Sequence, residues 1–173
     1  MKNRRWTHII IHHTGAEEKD AQAVRAYHKS LGWRDVGYHY LIERDGRVVP
    51  GRDLSLPGAH CRAGRMNFRG IGVACIGNFE NHPPLPPQVE ALAALLRRLL
   101  KEHGIPPGNV LGHREVPGAA TLCPGRFFKE EQIRALLASR PEGTRRQISP
   151  DRGSLTQNKC SDKIAREVRN HER

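Results

Sequence analysis

Residues 6–13, WTHIIIHH, constrain this chain more than any other stretch. Three consecutive isoleucines break the apolar–polar alternation of a half-exposed strand, so a strand built from them is apolar on both faces. β-Branched side chains favour the extended backbone, and such a run suits a buried central strand. It ends on a histidine doublet, His12-His13, before Thr14-Gly15 turns the chain.

The other periodicities supply the layers that a buried strand needs. From Asp20, DAQAVRAYHKSLG reads as a helix with Asp20 as cap, Val24, Tyr27 and Leu31 on one face, and Gly32 as stop. GYHYLIERDGRVV alternates around Asp45-Gly46, a hairpin signal with strands near 37–43 and 47–50. Residues 51–70 read as loop, and IGVACIG at 71–77 as a second buried strand. HPPLPP blocks any helix until its last proline. QVEALAALLRRLLKEHG then gives the strongest helix, with Val89, Leu92, Leu96 and Leu99 in one stripe and Gly104 as stop. Asn109–Leu111 is a short strand. Phe127–Ser139 is a last amphipathic helix carrying Phe128, Ile133, Leu136 and Leu137. Strands interleaved with helices imply an α/β fold, a central mixed β-sheet flanked by α-helices, in a single domain over residues 1–140. Beyond Arg140 large apolar residues become rare, so 141–173 reads as a basic, flexible tail. Within it, Ser161–Glu172 could form a marginal helix with Ile164 and Val168 on one face.

No apolar run approaches the ~18–20 residues of a membrane span. The N-terminus has a basic flank but lacks the roughly 7–15 apolar residues of a signal peptide. The expectation is a protein made in the cytoplasm without a signal peptide, acting in the periplasm or cell wall only after release. A monomer is expected.

Charge narrows the partners. The formal net charge is +11, from 29 Lys+Arg against 18 Asp+Glu. The tail holds eight basic and five acidic residues, which leaves +8 on residues 1–140. A basic body favours polyanions: nucleic acid, acidic lipid, or a cell wall bearing carboxylates and phosphates. Aromatics are few and show no spacing for base stacking, so no nucleic acid partner is expected.

Four cysteines, Cys61, Cys75, Cys123 and Cys160, form no CxxC pair or disulfide framework. Cys75 sits in an apolar run and reads as a small buried hydrophobe. Cys123 differs. It lies with His113 in Gly112–Gly125, GHREVPGAATLCPG, a loop rich in Pro and Gly with no hydrophobic period. Of ten histidines, His8 and His28 read as structural, and His82, His103 and His171 as surface or loop residues. His12/His13, His39, His60 and His113 remain near strand ends or in loops. Successive strand residues point to opposite faces, so one member of the doublet can join His113 and Cys123; periodicity does not say which. The resulting His₂Cys set has the ligand number of a catalytic zinc site with one open position.

In chain order, IIIHHTG, GWRDVGYHYLIERDGRV, GRD, GAH, IGVACIGNF, LGHREV and CPG carry a resemblance over residues 6–138. The chain resembles the type 2 class of zinc N-acetylmuramoyl-L-alanine amidases, which joins bacteriophage lysozyme-like amidases and peptidoglycan recognition proteins. The resemblance implies a mixed sheet with flanking helices and a groove for peptidoglycan or muropeptides over one zinc ion. It makes His12, His113 and Cys123 the metal ligands, Tyr38 and Thr121 the catalytic residues, and His60 and Asn67 substrate-binding residues. The implied reaction is hydrolysis of the amide between N-acetylmuramic acid and L-alanine, in an endolysin of phage or prophage type. A muropeptide-recycling amidase and a non-catalytic peptidoglycan-binding module are the alternatives. Cys123 weighs against both: recycling amidases tend to carry aspartate there, and binding-only recognition proteins typically lack the cysteine.

Overall fold

The isoleucine run is the middle of the sheet. In the computed structural model, which describes residues 5–139, β1 (His8–His13) lies between β4 (Gly70–Cys75) and β5 (Val110–Gly112), parallel to both. β2 (Tyr40–Ile42) pairs parallel with the other edge of β4 and antiparallel with β3 (Val48–Pro50). The strand order is β3-β2-β4-β1-β5, a mixed five-stranded sheet. All of β4 is buried, as are Ile9, Ile10 and Ile11.

Four helices cover it: α1 (Ala21–Ser30), the single turn α2 (Met66–Arg69), α3 (Pro86–His103) and α4 (Glu130–Ala138). On one face Ile9, Ile11, Ile71 and Val73 pack with Leu92, Leu95, Leu96 and Leu99 of α3 and Ile133 of α4. At roughly 1.5–3 kcal/mol for each fully buried aliphatic side chain, this face holds most of the core. The opposite face carries two smaller clusters, Ile10 with Cys61, Met66 and Val116, and Leu41 with Ala21, Val24 and Val36. Strand alternation then sorts the doublet. His12 shares the parity of Ile10, and His13 that of Ile9 and Ile11. Among the described residues, no helix is long and apolar enough to cross a membrane.

Several elements differ from expectation, each for a local reason. The α1 stripe is Ala21, Val24 and His28, while Tyr27 and Leu31 are 56% and 52% exposed. The ring of His28 packs on Trp33 and Tyr38 and accepts a hydrogen bond from Gly37 N–H, so histidine takes the inward position. The hairpin turns at Asp45-Gly46, but its strands are three residues each. Before β2 the chain is held irregularly, because the Arg52 guanidinium donates to the carbonyls of Asp35, Val36 and Pro57. The loop at 51–70 contains α2 and a short 3-10 turn, Ala63–Arg65. β4 begins one residue before and ends two residues before the expected 71–77, and β5 lies one residue later than Asn109–Leu111. α3 starts at Pro86, two residues before the expected Gln88, since proline lacks only an N–H that a first helical turn leaves unbonded anyway. α4 starts at Glu130, not Phe127, because Phe127 N–H donates to Phe79 O and Arg114 takes the Phe128 carbonyl. The tail at 141–173, its expected helix, Cys160 and His171 lie outside the described residues.

Candidate active site

The C-terminal end of β1 delivers His12 to the face of the sheet opposite α3. Its ring is 1% exposed and is surrounded by three others: His113 at 4.7 Å between centroids, His60 at 5.0 Å and Tyr38 at 5.2 Å. His13 turns the other way, where its Nδ1 accepts from Phe79 N–H and its ring lies against Phe79. The doublet therefore contributes His12.

His113 follows β5 and opens a 3-10 turn, His113–Glu115, fixed by a hydrogen bond from Gly112 N–H to the Glu115 carboxylate. The loop after it folds back, so that Arg114 N–H donates to Cys123 O at 2.8 Å. Cys123 Sγ thereby lies 3.5 Å from His12 Nδ1. One ligand atom from each of His12, His113 and Cys123 falls within 4.8 Å of the others, a spacing able to hold a metal ion. Cys61 and Cys75 are buried and take no part in that group.

Burial sets the protonation of these groups. It lowers His12 well below the ordinary imidazole value, with the neighbouring His60, His113 and His13 adding to the effect. It lowers His113 as well. The same burial pushes the Cys123 thiol up to about 12. Tyr38 is raised by burial and then by Cys123 and Glu18, so its phenol stays protonated at neutral pH.

The remaining expected residues fall in the same neighbourhood. Thr121 Oγ1 accepts from Cys123 N–H at 3.1 Å. His60 is 9% exposed and bonded on both ring nitrogens, to His12 Nε2 at 3.0 Å and to Gly70 O at 3.1 Å. Asn67 Oδ1 accepts from the backbone N–H groups of His60 and Cys61. His39, also read as a candidate, is structural. Its Nδ1 accepts from Gly72 N–H, and Nε2 donates to Leu56 O.

A cleft of about 680 Å³ opens beside this cluster, lined by Trp33, Arg34, Asp35, Arg52, Leu56, Pro57, His60, Arg62, Asn67 and His113 among others. Arg52 is engaged by three backbone carbonyls, and Asp35 by Arg25 and Val36 N–H. The side chains of Arg34 and Arg62 are exposed and make no hydrogen bond or ion pair to the described residues. The cleft thus carries uncompensated positive charge. Sequence reasoning missed Arg62 and Leu56 because single residues in Gly- and Pro-rich segments have no period. Trp33 and Arg34 lay within the motif GWRDVGYHYLIERDGRV and could have been found.

Comparison with known proteins gives the family. The family profile described as N-acetylmuramoyl-L-alanine amidase matches residues 2–126. The endolysin of Escherichia phage T7 is 35% identical over 139 residues, covering 75% of this chain and 87% of that protein. Peptidoglycan-recognition protein SC2 of Drosophila melanogaster is 36% identical over 129 residues, covering 69% of this chain and 68% of that protein. Among solved structures, N-acetylmuramoyl-L-alanine amidase LysC from Clostridium intestinale URNW superposes with a TM-score of 0.71 at 34% identity, covering 80% of this chain and 89% of that one. A match across most of the described chain, reaching from the histidine strand through the cysteine loop, makes this protein a member of the N-acetylmuramoyl-L-alanine amidase family.

Proposed function

We propose that the chain is a zinc-dependent hydrolase of the amide joining N-acetylmuramic acid to L-alanine in peptidoglycan, acting on the cell wall as a phage- or prophage-type endolysin. The convergence of His12, His113 and Cys123 on one point carries this reading. Two imidazoles and a thiol suit zinc, and three protein ligands leave one coordination position open. One zinc ion bound there would make water nucleophilic at neutral pH and polarise the scissile carbonyl.

The chain's own side chains supply the rest. A phenol raised by burial is a poor base, so Tyr38 acts as an O–H donor to the carbonyl oxygen as it gains negative charge. Thr121 Oγ1 already accepts from Cys123 N–H, which leaves its own proton free for a second donation. Leu56, Pro57 and Trp33 give the cleft an apolar wall, and Arg34 and Arg62 attract the carboxylates of a stem peptide.

The test uses purified cell wall. New amino termini and no new reducing sugar ends are expected, with activity abolished by chelator and restored by zinc. Activity that persists in a metal-free sample would sink the reading. Similarity to a peptidoglycan-recognition protein keeps a binding-only module in view. Cys123→Ser separates the two, because only hydrolysis depends on the thiol. Digesting intact sacculi and soluble muropeptides side by side separates an endolysin from a recycling amidase.

A further inference from the structure

We propose that His60 is a positioning residue: it holds His12 in the tautomer whose Nδ1 faces Cys123. The proposal rests on the metal-site reading above and assigns that site a supporting residue.

A chain of hydrogen bonds runs from Gly70 O through His60 to His12, and it fixes where the protons lie. Gly70 O can only accept, so His60 Nε2, 3.1 Å away, carries a hydrogen. His60 is buried and bonded to no carboxylate among the described residues, which rules out a comfortable imidazolium. Its Nδ1 therefore presents a lone pair to His12 Nε2 at 3.0 Å, and His12 Nε2 must be the donor. A neutral His12 protonated on Nε2 has its lone pair on Nδ1. That is the nitrogen lying 3.5 Å from Cys123 Sγ. Without His60 the two tautomers of His12 compete, and the metal-facing lone pair must be selected at the cost of affinity.

The surroundings are built to keep His60 in this pose. A Cβ on Gly72 would lie 2.5 Å from His60 Cδ2, and one on Gly58 would lie 2.4 Å from the same atom. The ring fills a slot that two side chains would otherwise occupy. Its backbone is pinned as well, since Asn67 Oδ1 accepts from His60 and Cys61 N–H at 2.7 and 2.8 Å. Asn67 N–H donates to Cys61 O, and Gly58 N–H donates to Asn67 O.

Two variants fill the slot and differ in hydrogen bonding. In His60→Gln the side-chain carbonyl can accept from His12 Nε2–H while the amide donates to Gly70 O; His60→Met can do neither. Zinc affinity, measured by competition with a chromophoric chelator, is expected to fall by about 10–100-fold in His60→Met and to stay near the wild-type value in His60→Gln. Equal zinc affinity in all three proteins overturns the proposal, as does a raised KM for soluble muropeptide with unchanged affinity. Ring-nitrogen NMR of the metal-free wild type is a second test that needs no variant. It should find His12 protonated on Nε2, and protonation on Nδ1 overturns the proposal. A wild-type protein that binds no zinc counts against the metal-site reading and leaves the tautomer measurement to decide the role of His60.

Discussion

Burial drives the thiol and the imidazoles of the candidate centre in directions that cooperate. With Cys123 pushed up to about 12 and His12 and His113 lowered, all three are uncharged at pH 7 when no metal is bound. A metal held by these three residues would take the thiolate and the two neutral imidazoles, so binding would displace one proton, from Cys123. The sign follows. Between pH 7 and 8 the metal-free thiol stays protonated, and apparent zinc affinity should rise about tenfold per pH unit as protons become scarcer. Calorimetry in buffers of different ionisation enthalpy should report about one proton released per ion. Release of none would mean that Cys123 is not a ligand. At this scale the sequence offered His113 and Cys123 through a loop that packing could not explain, but it could not choose within the doublet. Alternation places His12 and His13 on opposite faces; which face lies under α3 is decided by contacts from residues 86–103, far away in sequence. The engagement of Asn67 and His60 was equally hidden, because it depends on two glycines meeting one ring.

Elements are held at the site by cross-links as well as by core packing. The Arg114 guanidinium donates to Gly125 O, to Phe128 O and to the buried carboxylate of Glu130, which joins the loop bearing both proposed ligands, His113 and Cys123, to the start of α4. Replacing it with methionine keeps the apolar stem and leaves Glu130, 4% exposed, without its cation. Removing one partner of a fully buried pair costs about 3–5 kcal/mol; here only the carboxylate is buried, so Arg114→Met should cost less than that and still lower the denaturant midpoint. Zinc affinity should fall too, since the Cys123 end of the loop loses its anchor. The double variant Arg114→Met/Glu130→Leu should recover much of the stability without recovering the affinity. A midpoint unchanged in the single variant would remove Arg114 from this role. The same cross-link explains what the sequence hid. The central strand and α3 were legible because three isoleucines and a leucine stripe admit few other structures. The start of α4 and the length of β2 were not, because Arg114 takes the Phe128 carbonyl that a periodic reading assigns to the helix, and Arg52 fixes the carbonyls of Asp35 and Val36 just before the expected strand.

For the molecule as a whole, charge separates capture from chemistry. The chain carries a formal charge of +11, with +8 on residues 1–140, and Arg34 and Arg62 leave positive charge unpaired in the cleft itself. An intact wall is an extended polyanion, so many of these charges act on it together, whereas a soluble muropeptide meets only those beside the cleft. Screening should therefore affect the two substrates differently. The Debye length is about 10 Å at 0.1 M salt and about 3 Å at 1 M, which removes action at a distance but spares contacts inside the cleft. Digestion of sacculi should slow by about tenfold or more as salt rises through that range, in keeping with the rate gains ascribed to electrostatic steering. Hydrolysis of a soluble muropeptide should change far less. Arg34→Gln and Arg62→Gln should have the opposite pattern, raising KM for the soluble substrate while leaving most of the salt dependence on sacculi in place. Were both substrates to respond alike to salt, the surface charge would play no part in holding the wall, and the two cleft arginines alone would account for the attraction.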